Sequence, residues 1–179
     1  MIRGNGTRLT NISRISGGDL LEKITIKKNS LGDSRTAAHV PSREEFSESN
    51  NNRRTDVSNL MNAFADELRK RADRHDWTKV EEPYATMFYE LLTAAIRGEK
   101  NFEEGEWANL HYRELERHHL TRHCPDDITL LDIIEFICDN VAAGLSRSGY
   151  IFPIELSDEI LQKAFANTLE YIKNAVEVE

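Results

Sequence analysis

The sequence predicts an all-α fold, a single helical domain of about five helices that follows an irregular N-terminal arm. From Ser42 onward, apolar residues recur at three- and four-residue spacing, which places them on one face of successive helices. Capping residues, glycines and prolines interrupt this periodicity at intervals typical of helix ends. Of the 179 residues, 39% are hydrophobic, which is enough for one core.

The arm comprises residues 1–41, which are rich in Gly, Ser, Thr, Asn and Arg and lack helical periodicity. Only one short strand-like piece, Ile24-Thr25-Ile26, occurs within it. Such an arm could wrap the helical body, pair with another chain or stay mobile. The helical domain then spans residues 42–179.

The first helix is predicted over about residues 43–75. Ser42 and Glu45 fit a capping box, the reciprocal pair that satisfies two free backbone donors at a helix start. The apolar face of this helix consists of Val57, Leu60, Met61, Phe64, Leu68 and Ala72. His75 lies about five full turns after Val57, so it continues this face and is expected to point inward.

Four further helices are predicted, over about residues 83–97, 103–122, 129–147 and from 157 towards the C terminus. Pro83 suits the first turn of the second helix, and Gly98 ends it. Ser157, followed by two acidic residues that complement the helix dipole, suits the N-cap of the last helix.

Composition excludes several classes of protein. The net charge of −8 argues against general binding to nucleic acid. No apolar run approaches the roughly 18 residues that span a bilayer, and the N terminus lacks the apolar segment of a signal peptide. Cys124 and Cys138 lack CxxC spacing, which favours a reduced chain in the cytoplasm.

The adjacent pair His75-Asp76 ends the first helix and is the first candidate for chemistry. Five of the six histidines fall between positions 75 and 123. An imidazole beside a carboxylate in a partly dry pocket can ligate a metal ion or share a proton. The plainer interpretation is a histidine packed in the core with Asp76 capping the next turn.

The predicted third helix adds His111, Glu114 and His118, which share one face at spacings of three and four. Imidazole and carboxylate ligands at this spacing suit a divalent ion such as Mn, Fe, Co, Ni or Zn. The alternative is a solvated surface helix with His–Glu pairs.

The predicted fourth helix carries Asp132, Glu135 and Asp139 on one stripe, surrounded by apolar residues on most of its circumference. A helix with that pattern is expected to be buried, and unpaired buried carboxylates cost several kcal/mol. The stripe therefore either lines a site that holds cations or protons, or faces water or pairs with arginines.

Three blocks resemble an uncharacterised family of small phage and bacterial proteins. They read His75-Asp76-Trp77-Thr78-Lys79, Arg117-His118-His119, and the segment from Thr129 to Ala143. Their patterns are HD-x-[ST]-K, R-H-H and L-x-D-x-x-E-x-x-x-D, and the resemblance covers about residues 56–176. It implies a phage or prophage origin, hence the host cytoplasm, and a shared site more than a particular reaction.

A looser resemblance is to the HD-domain metal phosphohydrolases, which are all-α. Their ligand order of His, His-Asp and a distant Asp is similar to His39, His75-Asp76 and Asp139. This resemblance implies that His75, Asp76 and Asp139 hold a metal ion. The ion would lower the pKa of a bound water so that hydroxide attacks phosphorus.

The same resemblance implies roles for neighbouring side chains. His118 or His119 would balance phosphate charge or shuttle protons. Lys79 and Arg117 would contact the phosphate.

The predicted function is therefore a metal-dependent hydrolase of a phosphate ester, with a nucleotide as the expected substrate. The sequence does not determine whether the protein forms a homo-oligomer. The cofactor would be a divalent ion, with Mn, Fe, Co, Ni, Zn and Mg not distinguished. The predicted metal ligands are His75, Asp76, Asp132 and Asp139, and the predicted catalytic residues are His118, His119, Lys79 and Glu135. The alternative is a non-enzymatic phage protein that binds a host or phage protein and keeps the His/Asp cluster as a structural site.

Overall fold

The computed structural model describes residues 23–26 and 37–179. Within these ranges the chain forms five α-helices and two short strands, so the predicted all-α fold is confirmed. The elements are β1 (Ile24–Ile26), α1 (Arg43–Arg74), α2 (Tyr84–Ile96), α3 (Glu106–Asn109), α4 (Leu130–Ser148), α5 (Asp158–Ala175) and β2 (Val176–Val178). The arm prediction for residues 1–22 and 27–36 lies outside the described residues.

Helix α1 begins as its capping box predicts. The Ser42 hydroxyl accepts from the Glu45 amide, and the Glu45 carboxylate accepts from the Ser42 amide at 2.8 Å. The C-terminal half of α1 packs on α4 and α5. There the ring of Phe64 meets the ring of Tyr171 edge-on, with 6.5 Å between the ring centroids.

The prediction of one continuous buried face on α1 is wrong in the middle of the helix, where Val57 is 49% exposed and Met61 is 67% exposed. Thirty-two residues of helix extend for about 48 Å at 1.5 Å per residue, which is longer than the elements that pack against it.

Among the described residues, two apolar clusters hold the helices together. One joins α4, α5 and the segment before α4 through Leu120, Ile128, Ile133, Phe136 and Ala164. The other joins α2 and α3 through Tyr84, Leu91, Trp107 and Ala108. Elements of both clusters also carry the polar side chains of the candidate site, so the packing of the clusters sets the geometry of that site.

Helix α4 is buried on one side only, which corrects the prediction of burial all round. Leu131, Ile133 and Phe136 are buried, whereas Ile134 and Ile137 are each 42% exposed. Apolar residues on all sides of a helix do not show which side is buried, because that depends on the elements that pack against the helix. The helix ends where Gly149 adopts a left-handed φ of 78°.

The predicted third helix over residues 103–122 is wrong in its second half. A 3₁₀ turn (Phe102–Glu104) leads into α3, and a π-helical segment, Leu110–Leu115, continues from it. At Glu116 the backbone becomes extended, with φ −107° and ψ 128°. Contacts that Glu116 and Arg117 make with distant elements hold this segment outside a helix.

Strand β1 pairs in parallel with β2, with Ile24 opposite Val176 and Ile26 opposite Val178. The strand-like piece predicted in the arm therefore pairs with the C-terminal end of the same chain. Of the helices in residues 23–26 and 37–179, none combines the length and the apolar character that crossing a membrane requires.

Candidate metal centre

Within the described part of the chain, seven ionisable side chains from four stretches of the sequence meet at the C-terminal end of α1. They are His75, Asp76, His111, His118, His119, Glu135 and Asp139. They form four overlapping groups of three, and the nitrogen and oxygen atoms within each group lie within 4.8 Å of one another. Their proximity brings together the three sequence blocks that carry the resemblance.

Asp76 occupies the middle of this cluster because α1 ends immediately before it. Its backbone takes a left-handed φ of 55°, which turns the chain sharply into the 3₁₀ turn Trp77–Lys79. Its Oδ1 atom lies 3.5 Å from His111 Nε2 and 3.7 Å from His118 Nε2. Its Oδ2 atom lies 3.6 Å from His75 Nε2. A backbone strained in this way is held by its surroundings, as is common at functional sites.

His75, the last residue before that turn, lies between two carboxylates of α4. Its Nδ1 atom is 3.1 Å from Glu135 Oε1, and its Nε2 atom is 3.7 Å from Asp139 Oδ1. The carboxylates of Asp139 and Glu135 raise the pKa of His75 to about 10, although burial opposes this. Burial opposes ionisation of Glu135, but the nearby imidazoles of His118 and His75 outweigh it and lower its pKa to about 2.

His118 and Asp76 contain the least satisfied polar atoms of the cluster. His118 is fully buried, and neither of its ring nitrogens has a hydrogen-bond partner in the described part of the chain. Its Nδ1 atom lies 3.2 Å from Glu135 Oε1, but without the alignment of a hydrogen bond. Asp76 Oδ1 is likewise buried and lacks a hydrogen-bond partner among these residues.

Unsatisfied buried polar atoms are rare because each costs free energy. Ligand atoms lie about 2.0–2.2 Å from a transition-metal ion, so neighbouring ligands lie about 3–3.5 Å apart. The separations of 3.5–3.7 Å around Asp76 are close to that spacing. The residues therefore fit a divalent ion, which would satisfy Asp76 Oδ1 and His118 Nε2 together.

His111 and His119 form the other side of the cluster. Their Nε2 atoms lie 2.8 Å apart. Burial, followed by the charge of His119, lowers the pKa of His111 to about 3. Burial, followed by the charge of His118, lowers the pKa of His119 to about 4. Both rings are therefore neutral at physiological pH, the form in which imidazole binds metals.

Asp132, predicted as a ligand, lies in none of the four groups that the described residues form. Its Oδ1 atom accepts from Arg71 Nη1 at 2.8 Å and from Arg117 Nε at 2.9 Å. Its Oδ2 atom accepts from the Thr129 amide at 2.7 Å, which caps α4. The structure therefore corrects its role to pairing with arginines, the alternative that the sequence also allowed. Arg117 pairs with Asp127 and Asp132, and its predicted phosphate contact stays a prediction.

Lys79 and His39 lie in very different surroundings. Lys79 forms an ion pair with Asp76 at the rim of the cluster, and its side chain is 34% exposed. His39 lies before the opposite end of α1, about 48 Å of helix away, where it approaches Glu45 at 3.8 Å. His39 therefore cannot be the first ligand that the resemblance to HD-domain proteins implies.

Thr78 and Glu116 were missed as parts of the site, and His111 was recognised only by its helical spacing. Thr78 is fully buried, and its hydroxyl lies 2.6 Å from His111 Nδ1 and 3.1 Å from Glu116 Oε1. The signal that could have revealed Thr78 is its place inside the block His75–Lys79. Nothing local marks Glu116, since its contact with Thr78 crosses 38 positions.

The pKa shifts of His75, His111 and His119 predict how the stability of the metal-free protein depends on pH. The raised pKa of His75 contributes stability below about pH 6.5 that is lost as the pH rises towards 10. The lowered pKa values of His111 and His119 contribute stability above about pH 6.5 that is lost as the pH falls towards 4 and 3. The melting temperature in chelator is therefore expected to peak near pH 6.5.

Thermal unfolding across this pH range would check the expectation, with His75→Gln as the informative variant. That variant should flatten the fall in melting temperature between pH 6.5 and 10. Between pH 6.5 and about 4.5 its melting temperature should still fall with pH as in the wild type, because His111 and His119 remain. If the melting temperature of His75→Gln falls above pH 6.5 as steeply as that of the wild type, His75 does not hold a proton in the cluster.

Comparison with known proteins assigns the chain to a family but not to an activity. The family of unknown function DUF5662 matches residues 44–175, which contain all seven side chains of the cluster and exclude both strands. No curated protein and no solved structure matches the chain. The chain therefore belongs to DUF5662, a family of unknown function.

Proposed function

We propose that this chain is a metal-dependent hydrolase of a phosphate ester. The observation that carries the proposal is a pair of buried atoms, Asp76 Oδ1 and His118 Nε2, which lie 3.7 Å apart and have no hydrogen-bond partner among residues 23–26 and 37–179. A nucleotide as substrate, a phage or prophage origin and the loose likeness to HD-domain enzymes belong to the proposal and rest on the resemblance alone.

The residues that would hold the ion are those whose nitrogen and oxygen atoms gather around Asp76. They are His75, Asp76, His111, His118, His119 and Asp139. Mixed imidazole and carboxylate ligands suit Mn, Fe, Co, Ni or Zn, and Mg remains within the proposal. A divalent ion here would lower the pKa of a coordinated water and so supply a nucleophile at neutral pH.

The cluster is open to solvent on one side, as a catalytic site requires. The side chains of His75, Asp139 and Asp76 are 31%, 27% and 20% exposed, whereas His111 and His118 are fully buried. Lys79 lies on the open side beside Asp76, where its ammonium group could meet the negative charge of a phosphate.

The second candidate function is a non-enzymatic binding protein in which the cluster serves only as a structural metal site. The observation in its favour is a set of apolar side chains that α4 and α5 leave exposed. These are Ile134, Ile137, Leu161, Phe165 and Leu169, each between 41% and 57% exposed. Apolar surface of this kind is typical of interaction sites.

Metal removal separates the two candidates. We expect the purified protein to contain a divalent ion, and chelation to abolish hydrolysis in a screen of nucleotides with added Mn, Co, Ni or Mg. If the ion is only structural, chelation should lower stability by several kcal/mol, because metal binding is then folding energy, and no hydrolysis should be found. A chelator that changes neither stability nor any activity would contradict both.

A further inference from the structure

The Thr78 hydroxyl lies between two buried side chains and can donate only one proton. His111 Nδ1 lies 2.6 Å from Thr78 Oγ1, and Glu116 Oε1 lies 3.1 Å from it. Thr78 and His111 are fully buried, and Glu116 is 8% exposed. Water therefore has little access to these groups, and their hydrogen bonds must be satisfied among themselves.

The backbone decides which of the two neighbours receives the proton. The Thr78 amide, which can only donate, points at Glu116 Oε1 at 3.4 Å. This oxygen therefore presents lone pairs towards Thr78, so the Thr78 hydroxyl donates to it as well. With its proton used, Thr78 Oγ1 can only accept from His111 Nδ1.

A neutral imidazole carries one proton, so a proton on Nδ1 leaves Nε2 of His111 as a bare lone pair. That atom faces Asp76 Oδ1 at 3.5 Å and His119 Nε2 at 2.8 Å. Trp107 supports the ring from its face, stacked at 4.4 Å and 15°, and its indole N–H donates to the Thr78 carbonyl. Two buried residues thus fix both the tautomer and the orientation of His111.

We propose that Thr78, held by Glu116, is a positioning residue that makes His111 a metal ligand by keeping its Nε2 atom unprotonated. This inference rests on the proposed metal centre and extends it to His111. Partners that orient a ligating histidine typically contribute 10–100-fold in metal affinity.

The matched test compares Thr78→Val with Thr78→Ser. Valine keeps the shape of the side chain and removes the hydroxyl, whereas serine keeps the hydroxyl. We expect Thr78→Val to lower the affinity for Mn²⁺ or Co²⁺ by about 10–100-fold and to change the Co²⁺ absorption spectrum. Thr78→Ser should restore both readouts to within about threefold of the wild type. Equal affinity in Thr78→Val and wild type would overturn the proposal.

Glu116 offers a second comparison that leaves Thr78 intact. Glu116→Gln keeps a carbonyl oxygen that can accept from Thr78, so its metal affinity should stay near that of the wild type. Glu116→Leu removes the acceptor and frees the Thr78 proton to move towards His111 Nδ1, so its affinity should fall as in Thr78→Val. Equal affinities in these two variants would show that Glu116 does not direct the Thr78 proton.

The tautomer can also be read directly in the unmutated, metal-free protein by ¹H–¹⁵N correlation of the histidine ring nitrogens. We expect His111 to carry its proton on Nδ1. A proton on Nε2 would overturn the proposal whether or not the protein binds metal. If the wild type shows the expected tautomer but binds no ion, the proposed function fails and so does the ligand role of His111.

Discussion

Replacing Asp132 with alanine is expected to lower the free energy of unfolding by about 3–5 kcal/mol, the typical cost of breaking a buried ion pair from one side. Asp132 is fully buried and accepts from both Arg71 and Arg117. Burial alone would raise its pKa, but these two guanidinium groups lower it. Without the carboxylate, Arg71 and Arg117 each lose one of their acidic partners, and the start of α4 loses its cap.

The measurement is urea unfolding of Asp132→Ala in chelator, so that metal binding does not contribute. Asp127→Ala is the matched control, because Asp127 pairs with the same Arg117 from a side chain that is 53% exposed. The control should cost about 1 kcal/mol or less, as exposed pairs do. A loss below about 1 kcal/mol in Asp132→Ala would mean that the arginines find other acceptors, and would contradict its role in holding the fold.

Replacing Asp76 with asparagine is expected to remove metal and activity while the fold survives. Asp76 lies within 3.5–3.7 Å of three imidazole nitrogens, so its loss should lower metal affinity by more than about 100-fold, beyond the usual effect of an outer partner. Asparagine tolerates the left-handed φ of 55° at this position nearly as well as aspartate. The metal-free melting temperature should therefore stay close to that of the wild type.

Asp73→Asn provides the control for Asp76→Asn, since Asp73 is an exposed carboxylate in the last turn of α1. It should leave metal content, melting temperature and activity unchanged. Metal content and Co²⁺ titration of both variants would give the answer. An Asp76→Asn protein that retains stoichiometric metal would exclude Asp76 as a ligand and, with it, the centre of the proposed site.

Helix starts and stops could be predicted because they depend on neighbouring residues. The capping box of Ser42 and Glu45 and the glycine that ends α2, Gly98, are local features, and the structure has both, with a left-handed φ of 72° at Gly98. The grouping of carboxylates on α4 could be predicted for the same reason, since positions three and four apart share a helix face whatever surrounds them.

The partners of those carboxylates depended on the tertiary structure. Asp132 and Glu135 lie on one stripe, yet one caps its own helix and pairs with arginines while the other hydrogen-bonds to His75. Periodicity says which residues share a face, but it carries no information about which distant side chain will meet them.

By itself, the sequence determined an all-α chain with α1 ending at His75-Asp76, because caps and periodicity act within a few residues. Only the tertiary structure decided that the helix after Trp107 breaks at Glu116 and that His39 lies remote from the cluster. The physical reason is distance along the chain. The contact between Thr78 and Glu116 spans 38 positions, and such a contact exists only once the apolar clusters on either side of the site have packed.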